Sequence, residues 1–380
     1  MATIRVLHAI PEFSTRYGGP VTGIASLAPA LRAYGVETIV SSSAHDIVEA
    51  LDVECVARGR NITRFQVNFT QALWLMRNVR RYDLVVLDGA WSFSTLAGWL
   101  AARLHKVPFV LFPHGMLADW FKDHYPVKHR FKRTIWKLYL RRIARSANGV
   151  IFTADAEVES ARRAFPDFVG RVARLPYCAA PISMIDDLTP DTDARMLLYL
   201  GRLHEKKGAA ELLEAVALLV AQGKWKEGTR LVVAGGGSSG YEERLRKICA
   251  AKELTPYVEL VGPKTGFEKA RLFQQAWFFV LPSWQENFGM ALAEAASAGV
   301  PSITTEGVDI HESIYASGAG LIVKRPEPSL IADAIVVAIA MSDEERSEMS
   351  RAASELYARH LSPVAVVSAH SDFYHAVSGR

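Results

Sequence analysis

Glu286 and Glu294 stand with seven residues between them in the run Pro282–Ser283–Trp284–Gln285–Glu286–Asn287–Phe288–Gly289–Met290–Ala291–Leu292–Ala293–Glu294. An ionised carboxylate only accepts hydrogen bonds, which suits it to the paired hydroxyls of sugars. The apolar run 276–281 before them reads as a buried strand, Pro282 stops it, and residues 289–298 read as a small-residue helix. At about 1.5 Å of rise per residue, the two carboxylates lie roughly 10 Å or more apart. Between them fall the free amides of a helix start, a natural seat for a phosphate. Hydroxyl acceptors at the ends and amides between them outline a site for a sugar, a diphosphate and a ribose in a row.

A second constellation follows the apolar strand 196–200, where Gly201–Arg202–Leu203–His204–Glu205–Lys206–Lys207–Gly208 leads into a helix over 209–220. Arg202 and Lys207 at the mouth of such a loop can bind a diphosphate and neutralise it as it leaves, in place of a divalent metal. In the N-terminal half, a first strand over 4–10 ends in Pro11, and Tyr17–Gly18–Gly19–Pro20 opens a helix over 21–34. The Gly18–Gly19 turn lets a ligand approach the backbone closely. It lacks the Gly-x-Gly-x-x-Gly spacing of a dinucleotide site. Pro113–His114–Gly115–Met116 closes the strand 109–112, so His114 is expected to project from a strand end and to bond a sugar or steady developing charge.

The elements that must hold these residues alternate. Strands are expected at 38–42, 84–87, 150–153, 231–234, 258–261 and 300–304, with helices at 71–81, 94–104, 156–164, 330–340, 344–360 and 363–378. Such alternation predicts parallel sheets covered on both faces, with ligands outside the carboxyl ends of the strands. The chain has 380 residues, half of them apolar and 22% charged, enough for two domains each with its own core. A formal charge of +4 is too small to argue for nucleic acid. Cys55, Cys178 and Cys249 are far apart and lack metal-ligand spacing, which fits a reducing compartment. The N-terminus enters a strand without a signal peptide's apolar core, and no run is long enough to span a membrane. The expectation is a cytoplasmic protein. The Pro- and Asp-rich stretch 175–193 reads as the interdomain linker. Asp191–Thr192–Asp193 within it looks superficially like a metal-binding Asp-x-Asp pair, but its position after Pro190 reads as solvated linker, and no metal is expected.

The Glu–x7–Glu stretch, the Gly-Arg-Leu…Lys-Gly loop and the Pro-His-Gly-Met segment resemble retaining glycosyltransferases of family 4, the group 1 glycosyltransferases. The resemblance implies the GT-B fold, two doubly wound Rossmann-like domains facing each other across a cleft. It places an acceptor-binding domain at 1–180 plus 363–380 and a nucleotide-sugar-binding domain at 194–362. It implies that Glu286 holds hydroxyls of the donor sugar, that Phe288, Gly289 and Met290 offer backbone contacts, and that Glu294 binds the ribose. Arg202 and Lys207 would stabilise the departing diphosphate, Gly18 and Gly19 would lie beside it or the acceptor, His114 would sit near the reaction centre, and Gly262 would adjoin the base. The turn after 300–304, from Glu306 to Glu312, reads as scaffold. The activity implied is metal-free transfer of a hexosyl group from a UDP- or GDP-sugar, with no cofactor. A saccharide or lipid-linked saccharide of bacterial surface polysaccharide synthesis is the implied acceptor. A nucleotide-sugar epimerase or a catalytically silent sugar-nucleotide-binding scaffold are the alternatives.

The segment 121–145 is strongly basic, with Phe121, Tyr125, Phe131, Ile135, Trp136, Leu138, Tyr139 and Leu140 interleaved among its Lys and Arg. Such a mixture can lie on an anionic bilayer, or it can pack its apolar face on its own sheet. The resemblance favours the inner face of a cytoplasmic membrane.

Overall fold

Apolar strands buried on both faces require a helical layer on each side. The computed structural model, which describes residues 3–14, 18–43, 53–63, 65–185 and 195–379, provides them in two compact units. The first unit comprises Met1–Ala180 and Pro363–Arg380, and the second Pro181–Ser362.

In the first unit, β1 (Ile4–Ala9), β2 (Val36–Ser42), β3 (Glu54–Ala57), β4 (Leu84–Asp88), β5 (Phe109–Phe112), β6 (Gly149–Phe152) and β7 (Val172–Arg174) form one sheet. Its order is β3-β2-β1-β4-β5-β6-β7, and every pairing is parallel. Alternate residues divide between two cores. Ile4, Val6, Leu84, Val86 and Val110 pack on Leu27 and Leu31 of the helix Gly19–Ala33 and on Val366, Val367 and Tyr374 of the helix Pro363–Ser378. Leu7, Val85, Leu87 and Leu111 pack on Leu75, Ala97, Ala101, Trp136 and Leu140 from the helices of the opposite layer. Burial of each such aliphatic side chain contributes about 1.5–3 kcal/mol, which is why the last helix of the chain stays with the first sheet.

The second sheet holds β8 (Arg195–Leu200), β9 (Thr229–Ala234), β10 (Val258–Gly262), β11 (Ala276–Leu281), β12 (Ser302–Thr305) and β13 (Gly320–Val323). It is again all parallel, in the order β10-β9-β8-β11-β12-β13. Strand order reverses between β1 and β4 in one sheet and between β8 and β11 in the other. Loops at such switch points splay apart and leave a crevice at the carboxyl edge. Gly18, Arg202, Lys207 and Glu286 all stand on loops at those positions.

The linker begins later than the sequence suggests. Leu175, Cys178 and Ala179 are buried in the first unit, so they anchor residues 175–180 to it, with Pro176 and Ala180 facing outward. The lack of periodicity reflects a partly buried extended segment. Tyr17 and Asp191–Thr192–Asp193 lie outside the described residues. Among the described residues, no helix is long and apolar enough to cross a membrane.

Candidate functional site

The loop after β8 carries three cations. Arg202 is exposed and has no hydrogen-bond or ion-pair partner among the described residues. Lys206 donates to Gln285 Oε1 at 2.7 Å, and its carbonyl accepts the Trp284 amide at 2.8 Å. Lys207 pairs through Nζ with Glu286 Oε2. Burial first, then the Arg202 charge, push the Lys206 ammonium down to about 8, with Asp309 opposing. Burial, Lys206 and Arg202 likewise push Lys207 well below its ordinary value, and the Glu286 carboxylate favours its charged form. A cluster of crowded cations gains stability from an incoming dianion, so this loop is chemically able to bind one. At Gly208 the chain turns into the helix Ala209–Ala221 with φ +70°, and a Cβ there would lie 1.9 Å from the Pro282 carbonyl oxygen. Only glycine allows the β8 and β11 loops to touch at that point.

Glu286 is fixed through its backbone. Its amide donates to the Gly307 carbonyl at 2.9 Å, and its carbonyl accepts the Asp309 amide at 3.0 Å. The turn 306–312 is therefore the cradle that aims Glu286. Gly289, at φ +76°, starts the helix Met290–Ser297 in the left-handed region. Its carbonyl accepts the amides of Leu292 and Ala293, while those of Gly289, Met290 and Ala291 meet no acceptor among the described residues. These three donors form an anion seat next to the Glu286 loop. Phe288 is buried and anchors the loop.

Glu294 lies one helix turn further on and is buried, with Lys269 Nζ at 2.5 Å from its Oε1. Lys269 belongs to the helix Gly266–Gln275, which follows the β10 exit at Gly262. Gly262 has φ +69°, and its carbonyl accepts the Gly235 amide at 2.8 Å. The second unit thus links Arg202, Lys207, Glu286, Gly289 and Met290 around adjoining loops and ties Glu294 to the β10 exit through Lys269. Neither Lys269 nor the helix bearing it is apparent from apolar periodicity.

In the first unit His114 differs from expectation. It closes β5 with φ +50°, but its ring is turned inward, with the side chain only 3% exposed and stacked on Phe112 at 3.9 Å. His114 Nε2 bonds Asp88 Oδ1 at 2.8 Å, and His114 Nδ1 bonds the Tyr177 hydroxyl at 3.1 Å. The other Asp88 oxygen bonds His8 Nδ1 at 2.9 Å. Burial alone would raise the Asp88 carboxyl, but the two imidazoles outweigh it and hold its pKa below the ordinary value. A wholly buried carboxylate needs these donors, which is what draws the ring inward. With Nε2 donating to Asp88, Nδ1 accepts from Tyr177, and neither ring nitrogen is left for a sugar. His114 is a strut for its own loop, whose Gly115 amide is held by Glu157 Oε1 at 2.9 Å.

Tyr177 also ties His114 to the start of the helix Gly19–Ala33. Its hydroxyl is 3.5 Å from the Gly19 and Pro20 carbonyls, and its ring fills the space a Cβ at Gly23 would need. Gly18 caps that helix without any side-chain hydrogen bond. His8, Asp88 and Tyr177 hold this network together, and spacing does not flag them. A histidine buried within β1 is the signal for the network.

Two family models divide the chain between them. The one described as "Glycosyl transferase 4-like domain" matches residues 18–178, and "Glycosyl transferases group 1" matches residues 183–356. The chain belongs to the group 1 glycosyltransferases. It is 28% identical to the GDP-mannose:cellobiosyl-diphosphopolyprenol alpha-mannosyltransferase of Xanthomonas oryzae pv. oryzae, over 99% of this chain and 98% of that one. It is 25% identical to the D-inositol 3-phosphate glycosyltransferase of Corynebacterium urealyticum, over 73% of this chain and 68% of that one. Among solved structures it resembles Anabaena HepE in complex with UDP and glucose, with a TM-score of 0.76 at 15% identity, covering 98% of this chain and 100% of that one. WaaG, a glycosyltransferase involved in lipopolysaccharide biosynthesis, gives a TM-score of 0.72 at 17% identity, with 98% and 99% covered. The fold of this group 1 glycosyltransferase is GT-B, and the enzyme is a hexosyltransferase.

Proposed function

We propose that this glycosyltransferase moves a hexosyl group from a nucleoside-diphosphate sugar to a lipid-linked saccharide, with retention at the anomeric carbon and without a divalent metal. The observation that carries the reading is the Arg202–Lys206–Lys207 cluster beside Glu286, with the free amides of Gly289, Met290 and Ala291 on the adjoining loop. Negative charge grows on the diphosphate as the glycosidic bond breaks, and fixed cations and amides stabilise it more in the transition state than in the ground state. Glu286 takes donor-sugar hydroxyls on the oxygen that Lys207 leaves free, and Glu294 takes the ribose. Gly262 and its neighbours adjoin the base. Neither Glu acts as a covalent nucleophile, since the two bind opposite ends of the donor.

GDP-mannose is the first donor to test and UDP-glucose the second, following the named relatives and the UDP bound in the structural neighbour. With EDTA present, a nucleotide at a hundred times its Kd stabilises the protein by about 2.7 kcal/mol, which a melting curve resolves. Transfer to a diphosphopolyprenyl saccharide, with the product anomer read by NMR, then tests the rest. If no nucleotide raises the melting temperature, the donor assignment falls.

A finer test concerns the ribose end. Lys269→Met should raise KM for the donor about tenfold and leave kcat within about twofold, because a ground-state contact common to substrate and transition state is weakened. Lys269→Arg should restore KM. A fall in kcat with KM unchanged would remove Glu294 from ribose binding.

Localisation at the cytoplasmic face of a membrane is part of the proposal. Ile135, Trp136 and Leu140 of the basic segment are buried in the first unit's core, while Val127, Phe131 and Leu138 face outward among its cations. Ile135, Trp136 and Leu140 therefore serve the fold, while Val127, Phe131 and Leu138 are exposed where anionic lipid can meet them.

A further inference from the structure

The basic segment does not stand alone. The same face of the first sheet carries two more helices, Phe69–Asn78 and Phe93–His105. They lie side by side, with Phe69 against Phe93 at their N-termini (ring centroids 5.6 Å apart) and His105 Nε2 bonded to the Met76 carbonyl at 2.7 Å near their C-termini. Trp99 Nε1 donates to Ser146 Oγ at 3.2 Å, which joins the second helix to the end of the basic segment. All three contribute to one core, through Leu75, Ala97, Ala101, Trp136 and Leu140.

The outer face of this layer is unusual in two respects. It exposes large apolar side chains on every helix: Phe69 at 70%, Leu104 at 63%, Phe131 at 67%, with Leu73, Leu100 and Leu138 similarly open. It is also poor in opposing charge. Residues 69–82, 93–108 and 124–148 contain many Lys and Arg and not one Asp or Glu, although Asp167 comes within 3.4 Å of Arg141 from a neighbouring loop. A solvated helix face in a soluble protein mixes both signs and shows few large apolar groups. Apolar tips ringed by cations of one sign complement a bilayer whose surface is anionic, with the apolar groups at the acyl boundary and the cations at the headgroups.

We propose that this whole three-helix face is a docking surface for an anionic bilayer, in which Phe69, Leu73, Leu100 and Leu104 enter the headgroup boundary beside the basic segment. The inference extends the membrane contact proposed above and rests on it. Phe69 and Phe93 begin their helices at the carboxyl edge of the sheet, where β1, β4 and β5 present the Gly18 and His114 loops. A bilayer on this face therefore brings a lipid-anchored acceptor to the same edge of the first unit.

The test uses the full chain with vesicles of phosphatidylcholine alone and with about 30 mol% phosphatidylglycerol, read by flotation at low and high salt. Binding should require the anionic lipid and weaken with salt. The pairs Phe69→Ser/Leu73→Ser and Leu100→Ser/Leu104→Ser should each lower the partition coefficient about tenfold, while the melting temperature and its shift with nucleotide stay unchanged. Arg142→Glu/Arg145→Glu should do the same. If the charge reversal abolishes binding and both serine pairs bind like wild type, contact is confined to the basic segment and the extension is wrong. If wild type binds neither vesicle, the membrane reading itself falls. If light scattering shows a wild-type dimer that the serine pairs convert to monomer, the face belongs to a second copy of the chain and the proposal is overturned.

Discussion

Arg202→Ala should lower kcat/KM by about 10²–10³ and leave the melting temperature where it was. Removing one preorganised donor from developing negative charge typically costs this much. The separation of activity from stability follows from the side chain's surroundings. Arg202 is exposed and makes no hydrogen bond or ion pair among the described residues, so its loss leaves no orphaned partner. It even relieves the crowding that pushes Lys206 and Lys207 down. Most of the loss should appear in kcat, since the charge it answers grows as the bond breaks. Arg202→Lys should recover part of it, because a point charge keeps the Coulombic attraction but not the planar fork. Lys207→Ala is the less clean experiment, because it strips Glu286 of its partner and would mix donor-sugar binding with leaving-group stabilisation. Near-normal turnover in Arg202→Ala, measured with a donor that shifts the melting curve, would remove this residue from the mechanism.

The contrast between the two units shows what a sequence can reveal. The Arg202–Gly208 and Glu286–Glu294 stretches were legible because each is local: a strand, a break, a few charged residues and a helix start, all within about a dozen positions. The local signs also marked the turn 306–312, but not its task, since its bonds to Glu286 cross from one strand exit to the next. Lys269 escaped notice for the same reason, reaching Glu294 from a helix 25 residues earlier. Flanking Pro and Gly mark His114 in the sequence, but they do not set the direction of its ring. What turns it inward is a pair of bonds to Asp88 and Tyr177, 26 and 63 residues away. Short edge strands such as β3 and β7 were invisible because they bury little and carry mixed side chains. The linker boundary is hidden because Leu175, Cys178 and Ala179 are buried in an extended segment without any helical or strand period.

Asp88→Ala should destabilise the first unit by about 3–5 kcal/mol, the usual consequence of removing one partner from a buried charged network. His8 and His114 would be left facing an empty site, and the His114 ring that accepts from Tyr177 would lose the partner that fixes its orientation. Asp88→Asn should cost less, because the amide oxygen still accepts from one imidazole while its NH₂ opposes the other. The acid limb of stability separates this network from a neighbouring one. The folded pKa of Asp88 is depressed, so its contribution is complete above its unfolded value of about 4 and is lost only as pH falls below that. His370, buried in the same unit with Nε2 bonded to the Pro176 carbonyl at 2.8 Å, is pushed down from 6.5 to about 4. A base held neutral by burial resists the proton that the unfolded chain accepts, so it removes up to about 3 kcal/mol as pH falls from 6.5 towards 4. Calorimetric melting of wild type should therefore decline between pH 6.5 and 4 through His370, and Asp88→Ala should start lower but follow the same slope over that range. A flat wild-type profile there would contradict the burial of His370. An Asp88→Ala protein as stable as wild type would show that the His8–Asp88–His114 chain does not hold the site loop in place.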